Sequence, residues 1–306
     1  MPTTVLFIAG SGRSGTTLLQ NVLGQLDGFF AAGELRYLWD RGAVKDRLCA
    51  CGEHFHACPT WQCVLARAFG GLEPEHARRT AAAIETFRIA HLPRTWLPAT
   101  RRRELRRLDG LLADLRRLYA AIVDVTGCRV IVDSSKNPAY GYLLAQAGVG
   151  ELAVLHVVRD ARAAAFSWGQ RKEFEPGHLM RRRSAATAAV EWDAHNLATE
   201  AFLAPAATRF RRLRYEDLVA RPREELTAVV DWLGHGTVPL PLRSDHEVEL
   251  SERTHAVFGN ASRFRDGAVP LRRDDRWRTQ MRRRDVVTVS ALTGPLGSRY
   301  GYPLSR

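Results

Sequence analysis

Residues 5–20 constrain the fold more than any other stretch of the chain. Val5-Leu6-Phe7-Ile8-Ala9 is an unbroken apolar run with β-branched members, the mark of a strand buried on both faces. A glycine-rich turn, Gly10-Ser11-Gly12-Arg13-Ser14-Gly15, follows at once, and Thr16-Thr17-Leu18-Leu19-Gln20 opens a helical pattern. Strand, glycine loop and helix together make an anion site. Glycines let backbone N–H groups converge, and the helix N-terminus adds partial positive charge. Gly10-x-x-x-x-Gly15-Thr16-Thr17 has the spacing of a nucleotide-triphosphate loop, but Thr16 stands where such a loop carries its lysine. The cation is Arg13, inside the loop. The loop therefore suits a phosphate and provides poorly for a triphosphate with Mg²⁺.

Further apolar runs alternate with helical patterns. Phe29–Gly33 leads into Glu34; Arg129–Asp133 leads into Ser134-Ser135-Lys136-Asn137-Pro138; Leu152–Val158 ends at Arg159-Asp160; Phe210–Tyr215 leads into Glu216-Asp217-Leu218. Alternation of this kind predicts an α/β fold, a parallel sheet of the P-loop type flanked by helices. Helices are expected over residues 75–91, 101–126, 180–204, 224–233 and 284–292, with a loop at 173–178. No linker or repeat divides the 306 residues, so one domain over 1–306 is expected, with a helical insertion at about 45–125 forming the acceptor-side wall.

Open parallel sheets place functional groups just past strand ends. Lys136 and Arg159 hold such positions, and Ser167 follows Arg159 by about two helical turns, so both can reach one phosphate. The plainer readings are a surface lysine before a proline and an Arg159–Asp160 ion pair.

Ser11-Gly12-Arg13-Ser14-Gly15-Thr16-Thr17 resembles the 5′-phosphosulfate loop of sulfotransferases that use 3′-phosphoadenosine 5′-phosphosulfate (PAPS). It is similar to the Arg-Ser-Gly-Thr-Thr form of tyrosylprotein sulfotransferases and of bacterial carbohydrate and small-molecule sulfotransferases. Asp133–Pro138 resembles the family's lysine motif, and Val157-Val158-Arg159-Asp160-Ala161-Arg162 with Ser167 its 3′-phosphate motif. The resemblance implies that Gly12, Arg13, Ser14, Gly15, Thr16 and Thr17 cradle the donor's 5′ side. It implies that Arg159 and Ser167 hold the 3′-phosphate, and that Lys136 and Arg13 steady the leaving group. Glu34, in a Gly-Glu context, becomes the general base for an acceptor hydroxyl. The competing reading pairs Glu34 structurally with Arg36, Arg41 or Arg13. His54, His56 and His156 are rival bases, with His156 more suited to the core. Tyr215, in Tyr-Glu-Asp-Leu, either borders the adenine or packs the strand end. Asn260 and Arg263, in a segment similar to the nucleotide-closing stretch of bacterial relatives, are further donor contacts. Trp277 reads as core.

The expected reaction is in-line sulfuryl transfer from PAPS to a hydroxyl of a carbohydrate, lipid or small molecule, with no metal required. A net charge of +12 suits an anionic ligand. It also raises nucleic acid as a partner, but the basic residues lack the aromatic interleaving of single-strand binders, and no nucleic-acid role is expected. A nucleotide triphosphatase or kinase is the other alternative. No signal-like or membrane-spanning run is visible, so cytoplasmic residence is the default expectation, with peripheral contact at an anionic surface left open. Four of the five cysteines fall within Cys49-Ala50-Cys51 to Cys58-Pro59-Thr60-Trp61-Gln62-Cys63, with His54 and His56 between them. The cluster invites a zinc reading, but the spacing is unlike known zinc knuckles, so reduced, packed thiols are expected and no metal ligand is assigned. It also resembles an insertion found in bacterial relatives. The acceptor and the oligomeric state are not legible.

Overall fold

The computed structural model describes residues 3–236 and 238–303. Strand β1 (Thr4–Ala9) lies at the centre of a five-stranded sheet. Its alternating side chains divide between two cores: Val5, Phe7 and Ala9 face one, Leu6 and Ile8 the other. Both faces of β1 are fully buried, which is why the run reads as continuously apolar.

Along the chain, α1 (Thr16–Leu23) and β2 (Phe29–Gly33) come next. The helical layer follows: α2 (Pro59–Phe69), α3 (Pro74–Thr86), α4 (Pro98–Arg107) and α5 (Asp109–Thr126). Then come β3 (Val130–Lys136), α6 (Pro138–Ala147), β4 (Glu151–Val158) and α7 (Ala161–Gly169). A short hairpin, β5 (Glu173–Glu175) and β6 (His178–Leu179), precedes α8 (Ala185–Ala198) and β7 (Arg209–Arg214). Helices α9 (Tyr215–Ala220) and α10 (Pro222–Trp232) lead to a small antiparallel sheet of β8 (Leu242–Ser244), β9 (Glu247–Leu250) and β10 (Gly267–Pro270). Helices α11 (Trp277–Gln280) and α12 (Arg283–Arg299) close the described chain.

The central sheet runs β2-β3-β1-β4-β7, all pairs parallel. This is the α/β, helix-flanked parallel sheet expected from the alternation of elements. Because β3 and β4 lie on opposite sides of β1, the loops leaving β1 and β4 diverge and open a crevice at their C-terminal ends. No helix among the described residues is long and apolar enough to cross a membrane.

Four local expectations are corrected. The helix expected over 101–126 is two, α4 and α5, broken at Leu108 just before Asp109-Gly110, where glycine weakens helix propagation. The expected loop at 173–178 is a hairpin turning on Pro176-Gly177. Helix α8 begins at Ala185 rather than 180, because the Ser184 hydroxyl caps it by accepting from the Thr187 N–H at 3.1 Å. The terminal helix extends to Arg299.

Candidate active site

The loop after β1 is held by packing from below. At Gly10 φ is +131°, and an added Cβ would lie 2.2 Å from the Val157 carbonyl oxygen of β4. At Gly15 φ is +82°, and a Cβ would meet the Tyr215 ring at 2.5 Å. Glycine is therefore required at both places. Arg13, between them, takes φ of +71°, an uncommon conformation for a residue with a side chain and a form of strain concentrated at functional loops. Its guanidinium lies over Trp168 at 4.9 Å and donates from Nη2 to Met180 Sδ at 3.0 Å.

Arg159, just past β4, donates from Nη1 to the Arg13 carbonyl at 2.9 Å and sits over the Tyr215 ring at 4.7 Å. The two arginines named from sequence are thus neighbours. Among the described residues no carboxylate forms an ion pair with Arg13, Arg159 or Lys172, and the Nε atoms of both arginines are buried without a hydrogen-bond partner. Burial, followed by the charges of Arg183 and Arg159 and offset by Glu34, lowers Arg13 to about 10. Burial, then Arg13 and Arg159, lowers the Lys172 ammonium to about 8. These cations are crowded, and the carboxylates that act on them, Glu34 on Arg13 and Asp274 on Lys172, do so without an ion pair.

On the other side of β1, β3 carries Lys136 to the same crevice. Phe7 aligns with Asp133 but Ala9 with Lys136, so the register slips and a bulge re-aims the strand end. Lys136 takes φ of +65°. Asp133 anchors the bulge: it is fully buried, accepts from Tyr119 Oη at 2.5 Å and from the Ser135 N–H at 2.8 Å, and is pushed up to about 6 by burial against those bonds. Asn137 caps α6 by accepting from the N–H groups of Ala139 and Tyr140. Lys136 Nζ reaches Glu34 Oε1 at 2.5 Å and donates to the Ser134 carbonyl at 3.0 Å. Glu34 is therefore paired with Lys136, and not with Arg36, Arg41 or Arg13.

Two cavities meet at the loop. One is lined by Gly12, Arg13, Gly15, Thr16, Thr17, Glu34 and Lys136, and is walled by aromatic side chains including Tyr37, Trp168 and Trp192. The other is bounded by Arg159, Lys172, Tyr215, Arg272 and Asp274. Arg13, Gly15 and Asn260 belong to both. Asn260 Nδ2 donates to Thr17 Oγ1 at 3.2 Å, closing the C-terminal segment onto α1. Tyr215 Oη donates to the Arg272 carbonyl at 3.2 Å.

Three of the donor-site residues named from sequence line neither cavity. Ser14 is buried beneath the loop, 3.4 Å from Ser11 Oγ. Ser167 is also buried, but its hydroxyl accepts from Lys172 Nζ at 2.9 Å, which ties it to the cation beside Arg159. Arg263 turns inward. Its side chain is 0% exposed and pairs with Glu175 at 3.7 Å. It donates to the carbonyls of Gly259 at 3.2 Å, Leu48 at 3.3 Å and Phe174. A second correction concerns the acceptor wall: among the described residues, nothing from 45–125 lines either cavity. His156 is a core residue, bonded to Asn196 Oδ1 at 2.8 Å and lowered to about 4 by burial.

Sequence reasoning missed Lys172, Arg183, Glu191 and His195. Arg183 and Glu191 form an ion pair at the cavity wall. His195 is lowered to about 4, first by burial and then by Arg183, Arg36 and Lys136, so its imidazole is neutral at neutral pH. The i, i+4 placement of Glu191 and His195 on a helix was the one available signal.

A solved structure agrees with this architecture. The sulfotransferase domain from the curacin biosynthetic pathway superposes with a TM-score of 0.55 at 17% identity, covering 99% of each chain. The sulfotransferase domain from the Synechococcus PCC 7002 olefin synthase is 20% identical over 77% of this chain and 74% of that one, with a TM-score of 0.44. No curated protein matches the chain. The sulfotransferase family matches residues 6–237, which take in the loop, Glu34, Lys136, Arg159 and Tyr215, and the chain belongs to that family.

Proposed function

We propose that this sulfotransferase takes its sulfuryl group from PAPS and delivers it to a hydroxyl in the aromatic-walled cavity. The observation that carries the reading is the convergence of Arg13, Arg159 and Lys172, without an ion-pairing carboxylate, around two cavities that share the loop. One cavity supplies a site for a 3′-phosphate, at Arg159 and Lys172, with Ser167 orienting the ammonium. The shared loop supplies a site for the 5′ side, at the N–H groups of Gly12–Thr17 and at Arg13. Tyr215 and Asn260 border the nucleotide. Arg263 is left out of the donor site, since its guanidinium is committed elsewhere.

Glu34 is the general base and Lys136 the leaving-group cation. Their 2.5 Å contact gives the step a sequence. In the free site each neutralises the other. A donor whose bridging oxygen draws Lys136 Nζ away leaves the Glu34 carboxylate free to take the acceptor's proton. In-line transfer then needs only that the acceptor oxygen lie on the Glu34 side of the loop. Tyr37, Trp168, Trp192 and Phe258 suit a ring-bearing acceptor, with Arg183 and Glu191 as polar contacts.

Titration calorimetry should show adenosine 3′,5′-bisphosphate binding more tightly than ATP with Mg²⁺; the reverse order would favour a triphosphate enzyme. With radiolabelled donor, Glu34→Gln should lower turnover by roughly 10²–10⁴-fold while bisphosphate affinity changes little. His195, neutral and in the same cavity, is the second candidate base. Its assignment would be preferred if His195→Gln, rather than Glu34→Gln, removed turnover.

A further inference from the structure

The cysteine-rich segment folds into something its spacing did not reveal. Cys49 and Cys58 are buried, Cys51 is half-buried, and all three thiols are free. Their sulfur atoms and a ring nitrogen of His255 lie within 4.8 Å of one another. Neither histidine of the segment itself takes part: His54 Nδ1 lies 2.7 Å from the Asp46 carbonyl and His56 Nε2 2.9 Å from the Ala43 carbonyl. The fourth group comes from the far end of the chain.

The separations discriminate between chemistries. Cys51 Sγ to Cys58 Sγ is 3.8 Å, and Cys58 Sγ to His255 Nδ1 is 3.3 Å. A disulfide needs about 2.0 Å between sulfurs. A tetrahedron with Zn–S bonds of about 2.3 Å has sulfur–sulfur edges of about 3.8 Å, and a shorter Zn–N bond shortens the sulfur–nitrogen edge. We propose that Cys49, Cys51, Cys58 and His255 form a structural zinc site. Three thiolates and an imidazole are a soft donor set that zinc favours, and four protein ligands leave no open position for substrate or water. On loading, three Zn–S bonds and one Zn–N bond form, three thiol protons pass to solvent, and nothing is oxidised.

The surrounding backbone is built to hold these groups. The Gly52 N–H donates to the Cys49 carbonyl at 3.0 Å and turns the chain between Cys51 and the rest of the loop. Trp61 Nε1 donates to the His255 carbonyl at 2.7 Å, and the Ala50 N–H to the Ala256 carbonyl at 3.1 Å. The segment beginning at His255 then runs along β2, with the Val257 N–H on the Ala32 carbonyl at 3.0 Å, and delivers Phe258 and Asn260 to the cavities. The metal therefore fastens the C-terminal wall of the active site to the helical layer.

The full chain, expressed in zinc-containing medium and purified without chelator, is expected to carry about one equivalent of zinc by elemental mass spectrometry. Cobalt substitution should give the intense visible bands of a tetrahedral thiolate site. Cys58→Ser should cut zinc content at least about tenfold. Cys63→Ser and Cys128→Ser should leave it unchanged, and His255→Cys should keep it even where His255→Ala does not fold. Folded wild-type protein without zinc, whose buried thiols react with a thiol reagent or whose mass shows a disulfide, overturns the proposal. Zinc that is lost equally in the Cys63 variant overturns it as well.

Discussion

Arg159 and Arg263 are both buried guanidinium groups, and both were expected from sequence to contact the donor, Arg159 at its 3′-phosphate and Arg263 at the 3′-phosphate or the ribose. They live in different regions. Arg159 stands at the end of β4, bonded to the Arg13 carbonyl of the loop and, at 3.4 Å, to the Asp274 carbonyl, and it faces a cavity. Arg263 lies under the segment that follows β9, enclosed by Glu175 and three carbonyl groups. In the first region no carboxylate of the described residues pairs with the cations, and Glu34 and Asp274 act on them only from farther off; the second pairs its arginine with Glu175. The two arginines differ in their inventory of partners, and motif spacing carries no information about that.

The comparison can be broken in three ways. The largest effect should come from Arg263→Met, which leaves the carbonyls of Gly259, Leu48 and Phe174 without their donor and Glu175 with Arg47 as its remaining arginine. A stability loss of about 3 kcal/mol or more is expected in denaturant unfolding, from about 1–3 kcal/mol for each acceptor left unsatisfied, with nucleotide affinity retained in whatever fraction stays folded. Loss of affinity without loss of stability would return Arg263 to the donor site. Arg159→Ala should behave oppositely. Removing charge-assisted bonds to a phosphate costs about 1.5–3 kcal/mol, so bisphosphate affinity should fall by roughly 10- to 150-fold in calorimetry, with a much smaller change in unfolding.

The smallest effect is a pH dependence that belongs to the first region alone. Lys172 is held near 8 by burial and by Arg13 and Arg159. A bound phosphate favours the charged ammonium and raises that value, so binding takes up a proton. Bisphosphate affinity should be strongest below about pH 8 and weaken as pH rises above it, by up to about tenfold per pH unit. Lys172→Met should flatten this slope. A slope that survives the substitution would assign the proton to another group.

The loop, the sheet and the strand-end residues were legible because each is a local pattern: a run of apolar residues, a glycine spacing, a charge just past a strand. What stayed hidden depends on distant chain segments meeting. Lys172 sits at the approach to a short hairpin with no motif. Arg183 and His195 precede and ride a helix whose faces gave no clear signal. The 2.5 Å contact of Glu34 with Lys136 joins two different strand ends. The helical layer was expected to form the acceptor-side wall, yet it packs against the core around Trp61 and Leu115 and lines neither cavity. His255 is separated from Cys58 by most of the chain, which is why the local cysteine spacing looked unlike a metal motif.

The contact of Gly15 with the Tyr215 ring, and of the Arg13 carbonyl with Arg159, has one more consequence. The cradle is assembled when the protein folds, with an aromatic plate as its floor and a guanidinium as its strut. Under the proposed function, capture of the donor would then have little chain to organise. On that same proposal, discrimination among nucleotides would fall to where their charges sit, and a molecule phosphorylated at one end alone would fill half of the cradle.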